Sequence, residues 1–534
     1  MGRHICQLLV IVVAVTGVPA RADEPSAEAA AVDQAMRRVV ARVEPSIACI
    51  LVSRSDAYHK LFGEPASKTP GQLGAFPAKH GELRLPPADN PEVAALTRQL
   101  RKQPRGFDPA DLQTELLQIL KARYDLSDPN YVPASYGSGV VIDRDGLVLT
   151  YYHVIREATK LYVRLAGHKG SYADIFAADP ISDLAVLKLL DRSVLPLEPV
   201  ARGNGSPLHK GQLVLTMVFP FTANFRNARP IAAQGIVSAI RYAETRSIVD
   251  DWEEADLNFY RFGTLVQTDA RMSTSCSGGA LLDLEGRLVG LTTAVGGTTG
   301  VETASTLAVP FDADKWRLVN VLAHGEEAEH GFLGINFGSR GFGRWRRMRP
   351  QREGPVQVGW VLGNSPASRA GLRPGDTIVA INGQPVSNIE DARRAIGSLL
   401  AGSQARLRVI SAAGDEHEVV ATLTKAYHVS KGIASHRPPF AHGLRVDYTS
   451  VLTQRYTMRN DRIADGVVVV EVAPGSSSHA ELHDARITKV NGRLVNAPAE
   501  FYEAVRQADR QGRPIELTIA DPSHFGADRT VVLH

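Results

Sequence analysis

The chain has 534 residues, 44% of them hydrophobic and 22% charged, so about three domains of roughly 150 residues each are expected and ordinary core packing is within reach. Lysine and arginine number 60 against 57 aspartates and glutamates, for a net charge of +3. That balance speaks against a nucleic-acid partner, which normally demands a concentrated basic face.

At the N-terminus, Arg3 and His4 precede an apolar run from Leu8 to Val15, and Ala20-Arg21-Ala22 closes it with small residues at alternate positions. This is the layout of a secretory signal over residues 1–22, cleaved before Asp23. The run is too short to cross a bilayer, which takes about 20 apolar residues, and no later run is long enough. The expectation is an exported chain without a membrane span. Cys6 leaves with the signal, and Cys49 and Cys276 remain. Two cysteines make no disulfide framework; an oxidising compartment permits them to pair, yet single cysteines are also commonly buried as small apolar residues. There is no CxxC, HExxH or calcium-loop pattern. His324 and His330 flank an acidic linker that reads as a solvated connection rather than a metal site. Neither metal nor cofactor is expected.

Helical spacing runs from Glu28 to Val43, and Ser46 to Val52 reads as a strand. Residues 55–134 are rich in proline, glycine and charge, with one helical piece around Leu112–Ala122; so long an irregular stretch inside a domain is functional or disordered. From Gly137 the pattern changes to short apolar strands: Gly139–Ile142, Leu147–Thr150, Leu161–Leu165, Ala185–Leu189, Leu213–Val218, Gly235–Ile240, Ala280–Leu282 and Leu288–Thr293. Such spacing predicts a β-barrel or sandwich rather than alternating β/α units. A helical linker follows over Asp314–Leu322. The remainder holds an imperfect repeat: Gly359–Leu362, Ile378–Ile381, Asn382-Gly383 and a helix at Ile389–Leu400, then Gly466–Val472, Ile487–Val490, Asn491-Gly492 and a helix at Ala499–Ala508. Ser387 and Glu390 have the spacing of a capping box for the first helix, and Asn496 with Pro498 starts the second.

Three segments carry chemistry. Tyr152-His153-Val154 follows a strand and the Asp145-Gly146 turn, Ser182-Asp183-Leu184 comes next, and Ser275-Cys276-Ser277-Gly278-Gly279 last. A serine hydroxyl attacks only when a histidine takes its proton, and the histidine needs a carboxylate to fix its tautomer. Singly, each segment also fits a structural histidine, a turn or a loop. Together, in the order His, Asp, Ser within a β-rich domain, they favour a nucleophilic site of the chymotrypsin order.

The segments Gly137-Ser-Gly-Val-Val-Ile-Asp-Arg-Asp-Gly, Leu149-Thr-Tyr-Tyr-His-Val-Ile, Ser182-Asp-Leu-Ala-Val-Leu-Lys-Leu, Gly235-Ile-Val-Ser-Ala, Gln267-Thr-Asp-Ala and Ser277-Gly-Gly resemble, in that order, the HtrA/DegP family of trypsin-like serine proteases with C-terminal PDZ domains. The resemblance implies a mostly β fold: a chymotrypsin-like double β-barrel over 23–325, interrupted by the insertion 55–134, then α+β PDZ-type domains over 329–427 and, in degenerate form, 437–534. It implies His153 as general base, Asp183 orienting it and Ser277 as nucleophile. An oxyanion hole would be made by Ser275, Cys276 and Ser277, and a specificity pocket by Thr306, Leu307 and Ala308, with an apolar lining suited to small or medium aliphatic side chains. The pocket residues fit the last core strand of a barrel equally well. Where the family carries Gly-Asn-Ser-Gly-Gly-Pro, this chain has Ser275, Cys276 and Ala280 in place of Gly, Asn and Pro, and Tyr151 replaces the usual asparagine. Losing one oxyanion donor costs about a hundredfold or more in rate, so Ser275 bears on activity. Cys276 as nucleophile is the lesser reading, because the Gly-Gly pair aligns on Ser277.

By the same resemblance, Phe332-Leu333-Gly334-Ile335 is the loop whose amides hold a peptide's terminal carboxylate, and Ser365–Asp376 matches the family's central PDZ segment. Gly443-Leu444-Arg445-Val446 is the counterpart in the second copy, where Glu481–Ile487 is shortened. The insertion falls where the family has a regulatory loop, and Tyr242–Arg261 where it senses an activating ligand. The expected function is a secreted or periplasmic serine endopeptidase that degrades unfolded polypeptides, binds peptide C-termini and forms homo-oligomers of trimers or multiples. The alternatives are a catalytically weak chaperone that holds unfolded clients, or a scaffold recruited through its PDZ domains.

Overall fold

Two closed β-barrels and three smaller sheets, with helices between them, make up the computed structural model of the chain, described for residues 27–62, 69–76, 90–102, 109–128, 131–133, 135–221, 229–242, 264–272, 277–293, 305–337, 356–428, 431–455, 462–474, 481–520 and 528–533. The signal segment 1–22, Ser275, Cys276 and nearly all of Tyr242–Arg261 lie outside the described residues.

Helix α1 (Ala27–Val43) forms because Met36, Val39 and Val43 recur at three- and four-residue spacing and are all buried, while Asp33 and Arg37 pair on its exposed side. Strand β1 (Ile47–Ser53) is buried at every position, as a continuous apolar run inside a barrel should be. The stretch that follows is not simply irregular. It contains α2 (Ala57–Lys60), α3 (Pro91–Arg101) and α4 (Pro109–Tyr124), which bury a small core of their own from Ala57, Leu61, Val93, Leu96, Leu100, Leu116 and Leu120. Tyr58, Phe62, Phe76 and Tyr124 meet mostly edge-to-face and fasten this layer to the barrel.

The first barrel comprises β1, β2 (Ser135–Val141), β3 (Leu147–Tyr151), β4 (Lys160–Arg164), β5 (Gly170–Asp179) and β6 (Leu184–Leu189), with the one-turn helix α5 (Tyr152–Ile155) after β3. The order β5-β4-β1-β2-β3-β6 closes because β5 also pairs with β6. In the second, β7 (Ala201–Arg202) attaches to a ring of β8 (Leu213–Val218), β9 (Ile231–Tyr242), β10 (Thr264–Thr268), β11 (Ala280–Leu282), β12 (Arg287–Thr293) and β13 (Thr306–Pro310), closed by β11 pairing with β12. Helix α6 (Ala313–Ala323) follows, its first turn capped by Asp312, which accepts from the Lys315 amide.

The first repeat consists of β14 (Gly331–Phe332), β15 (Ile335–Phe337), β16 (Val356–Val361), α7 (Pro366–Arg369), β17 (Thr377–Ile381), β18 (Gln384–Pro385), α8 (Ile389–Gly397), β19 (Gln404–Ile410), β20 (Glu416–Thr422) and β21 (Thr424–Lys425). After it, β22 (Ile433–Ala434) adds to β5 of the first barrel. The second repeat has β23 (Leu444–Tyr448), α9 (Thr449–Arg455), β24 (Val467–Val472), β25 (Arg486–Val490), β26 (Arg493–Leu494), α10 (Pro498–Arg510), β27 (Ile515–Ile519) and β28 (Arg529–Leu533). The copies correspond in detail: β15-β16-β17-β19-β20 matches β23-β24-β25-β27-β28. Asn382-Gly383 and Asn491-Gly492 make the same turn, with φ of 48° and 79° in one and 48° and 77° in the other. The helix caps differ from expectation. Asn388, not Ser387, caps α8 by accepting from the Asp391 amide, and Asp391 accepts from the Ser387 amide, while the Glu390 side chain lies outside the described residues. Asn496 does not cap α10; its Oδ1 accepts from Gly466, and Ala497 stands at the cap position ahead of Pro498.

The linker also departs from its reading. His324 is exposed, but His330 is 6% exposed and bonded into the first barrel. Among the described residues no cluster of three or more acidic, histidine or cysteine side chains is arranged to hold a metal, and no helix is long and apolar enough to cross a membrane.

Candidate active site

The site grows from the end of β3. There the chain turns into α5, and His153 sits in that single turn with its side chain partly exposed. Asp183 stands opposite, at the turn between β5 and β6. It is 8% exposed and adopts φ 58°, a left-handed conformation that aspartate tolerates better than most residues. The Tyr152 amide donates to the Asp183 carbonyl at 2.7 Å. The His153 amide donates to Asp183 Oδ1 at 2.8 Å, and His153 Nδ1 to Oδ2 at 2.5 Å. A carboxylate that receives both the backbone and the ring of one histidine fixes the imidazole's orientation and places its hydrogen on Nδ1. Nε2 is left as the proton acceptor.

The turn that carries Asp183 is itself held. Asp179, the last residue of β5, accepts from the Ile181 amide at 3.2 Å and the Ser182 amide at 3.0 Å. Its pKa is held down to about 2: burial works against the charge, but His330 and the surrounding hydrogen bonds outweigh it.

Ser277 is 6% exposed and opens a turn into β11. Its carbonyl accepts from the Ser138 amide at 2.8 Å, while Gly278 donates to Thr292 at 2.9 Å and Gly279 accepts from Thr292 at 2.8 Å. Gly278 has φ 92°, and a Cβ there would stand 2.1 Å from the Ser138 carbonyl oxygen. Gly137 passes between the two halves of the site: a Cβ on it would meet Val154 at 2.6 Å and the Ser277 carbonyl at 3.1 Å. The Gly137-Ser138 pair of β2 therefore lies between the histidine turn and the serine turn, with no side chain at Gly137 to hold them apart.

Thr306, Leu307 and Ala308 lie on β13 and are buried at 7%, 4% and 0%. Ala308 packs inside the second barrel with Val237, Val266 and Leu281, whereas Leu307 joins the larger core shared with the first barrel. Thr306 Oγ1 accepts from the Met272 amide at 3.0 Å, anchoring the segment that follows β10. In the first repeat, Phe332 ends β14 and Ile335 begins β15. Between them, the Leu333 carbonyl accepts from Ala367 at 3.0 Å and that of Gly334 from Leu362 at 2.9 Å. Gly334 has φ 82° and a Cβ there would stand 2.3 Å from Ser365. In the second repeat, the Val446 amide on β23 faces the Tyr502 hydroxyl of α10 at 3.4 Å. Sequence reasoning did not single out Asp179 or Ser138, and it read His330 as part of a solvated linker. Asp179 was legible as the nearest acid before Asp183; the other two are explained only by tertiary contacts.

The chain matches the trypsin-like peptidase domain family over residues 137–291 and the PDZ domain family over residues 357–410. It is 30% identical over 393 residues to a probable periplasmic serine endoprotease, DegP-like, of Pseudomonas fluorescens, covering 72% of this chain and 76% of that one. A protein of the same description from Hahella chejuensis is 28% identical over 404 residues, covering 72% of this chain and 80% of its own. Among solved structures, an HtrA-type protease AlgW with decapeptide aligns over 76% of this chain and 99% of its own at 20% identity, with a TM-score of 0.43.

Proposed function

This chain belongs to the HtrA/DegP family of trypsin-like serine proteases, and on that premise we propose that it is a periplasmic quality-control endopeptidase whose triad is His153, Asp183 and Ser277. Serine endopeptidase activity and periplasmic location belong to the family. The residues, the clients and the role of the PDZ-type domains are our reading.

The observation that carries it is the two-point contact of Asp183 with His153, through backbone and ring together. In the proposed reaction Ser277 Oγ attacks the scissile carbonyl carbon while His153 Nε2 takes the hydroxyl proton. Asp183 stabilises the imidazolium that forms. The amides of Ser277 and Ser275 would receive the oxyanion, with Cys276 between them. The proton then passes from Nε2 to the leaving amine, and water repeats the sequence on the acyl-enzyme. By the family resemblance, a specificity pocket for small or medium aliphatic side chains would lie along Thr306-Leu307-Ala308. The amides of Phe332–Ile335 would take a peptide's terminal carboxylate, and the edge of β15 its strand. In the second repeat the Tyr502 hydroxyl sits at the Val446 amide that a peptide would need, which favours a role in assembly over peptide binding there. Homo-oligomers of trimers or multiples follow from the family resemblance.

Cleavage of an unfolded test protein by the mature chain, beside Ser277→Ala, tests the triad. Cutting by the parent alone is expected. Equal cutting by both removes Ser277 from its role, and cutting by neither, even with a C-terminal peptide added, returns the chain to the client-holding reading.

A further inference from the structure

His330 stands where the catalytic barrels hand over to the first repeat, directly before β14. Its Nε2 lies 2.8 Å from Oδ2 of Asp179 and its Nδ1 3.2 Å from the carbonyl of Gly397 at the end of α8. Both partners are pure acceptors. A neutral imidazole has one N–H, so satisfying both at once takes the doubly protonated ring. The surrounding charges agree. Burial alone would lower the His330 pKa, but the Asp179 carboxylate raises it above the ordinary histidine value, against the opposing charge of Lys315 on α6. His428, whose ring stands 5.7 Å away edge-on, is lowered to about 4 by burial, by the His330 charge and by Lys425 on β21. It leaves His330 as the charged member of the pair.

Asp179 is the residue that fixes the Ile181 and Ser182 amides, and Asp183 follows at once in its left-handed conformation. A second attachment acts on the same strand end. β22, which leaves the first repeat on its other side, pairs Ile433 with Ala178 and Ala434 with Ala177. The end of β5 is thus gripped from both sides by the segments that flank the first PDZ-type domain.

We propose that protonated His330 is a positioning residue for proteolysis, locking Asp179 and through it the turn that presents Asp183 to His153. This rests on the triad reading above and adds to it a requirement for a proton on a side chain outside the catalytic barrels. Loss of that proton removes one of the two ring hydrogen bonds and the attraction to Asp179. A raised folded-state pKa means that the lock is complete below the unfolded value of about 6.5 and is lost as pH climbs through the folded value.

The test is the pH dependence of kcat and KM for a short chromogenic peptide substrate, using the full mature chain. Parent, His330→Gln, His330→Arg, Asp179→Asn and Ser277→Ala are compared, with melting curves for each. The parent should lose rate on the alkaline side as His330 gives up its proton. His330→Gln should lower kcat at pH 6 by about fivefold with KM unchanged and abolish the alkaline fall. His330→Arg, whose charge is permanent, should restore kcat and keep it flat on the alkaline side. Asp179→Asn, which retains the side-chain shape and one carbonyl oxygen, should also lose the alkaline fall, and it reports even where His330→Gln does not fold. Parent and folded variants with superimposable profiles overturn the role of His330 while leaving the triad intact. Cutting that survives Ser277→Ala overturns the triad and this proposal with it.

Discussion

The ring of Tyr151 lies stacked on the imidazole of His153, with centroids 5.2 Å apart and planes 21° from parallel. Tyr151 is wholly buried, and its hydroxyl donates to the Leu291 carbonyl of the second barrel at 2.8 Å. One side chain thus backs the proposed general base with an aromatic face and ties the two barrels together beside it. The family resemblance would place asparagine here.

Tyr151→Phe keeps the aromatic face and loses the hydrogen bond, so the expected cost is about 1 kcal/mol of stability and less than about twofold in kcat. Tyr151→Asn removes the face as well. It should cost about 3 kcal/mol through the cavity left behind and lower kcat about fivefold, since the imidazolium formed during attack loses a cation–π partner worth about 1 kcal/mol. Urea unfolding and peptide-substrate kinetics separate the two effects. Equal kcat for all three chains would show that the stack is packing alone.

Asp183→Asn should leave the turn in place, because an amide oxygen still accepts from the His153 backbone. The ring is the sensitive partner: an asparagine that presents its NH2 to Nδ1 selects the wrong tautomer. A fall in kcat of about ten-thousandfold is expected, with KM little changed. A loss below about tenfold would mean that the carboxylate is structural.

The fold was legible where residues repeat at a fixed period, and obscure where their partners come from afar. β1, β8 and β11 are short apolar runs bounded by turns, and their extents agree with the pattern to within a residue. β5 went unpredicted because Gly170-Ser-Tyr-Ala-Asp-Ile-Phe-Ala-Ala-Asp179 does not alternate. Consecutive residues such as Ser171, Tyr172 and Ala173, and again Ala177, Ala178 and Asp179, are all buried, so burial does not alternate along it either. α3 was hidden by the proline-rich residues before it, although Asn90 followed by Pro91 is a helix start and Val93, Leu96 and Leu100 hold helical spacing. The order of the proposed triad was readable because each member carries its neighbours with it. His330 was not, because an acidic surrounding looks solvated until Asp179, distant in sequence, is seen to face it.

Gly278→Ala should abolish both activity and the native turn. The new Cβ would stand 2.1 Å from the Ser138 carbonyl oxygen and 2.6 Å from Thr150 Oγ1, with φ at 92°. Neither neighbour can yield, since Ser138 is held in β2 and Thr150 Oγ1 bonds the same carbonyl at 2.8 Å. A loss above about 3 kcal/mol is expected. Gly371→Ala supplies the comparison: its φ is 89°, yet nothing lies within 4 Å of the added atom, so the expected cost is the backbone term alone, about 1–2 kcal/mol. Equal melting temperatures for the two variants would show that crowding at Gly278 contributes nothing.

Lys425 joins three parts of the chain at one point. Its Nζ lies 2.9 Å from Asp447 of β23, 3.0 Å from Glu327 and 3.2 Å from Glu329. Burial alone would lower its pKa, and the three carboxylates raise it instead. Its side chain is 12% exposed and that of Asp447 15%, whereas those of Glu327 and Glu329 are 42% and 40% exposed. Removing the cation therefore falls chiefly on Asp447, which is left with a charge and little water. Lys425→Met should cost about 2 kcal/mol, less than a fully buried broken pair because two of the carboxylates reach solvent. The loss should appear as faster amide exchange in β23 and α9 before any change in the barrels. Adding Asp447→Leu to Lys425→Met should recover most of it, since an apolar pair can replace a buried ionic one at little cost. Failure of the second substitution to recover stability would place the effect in the lysine's packing rather than in its charge.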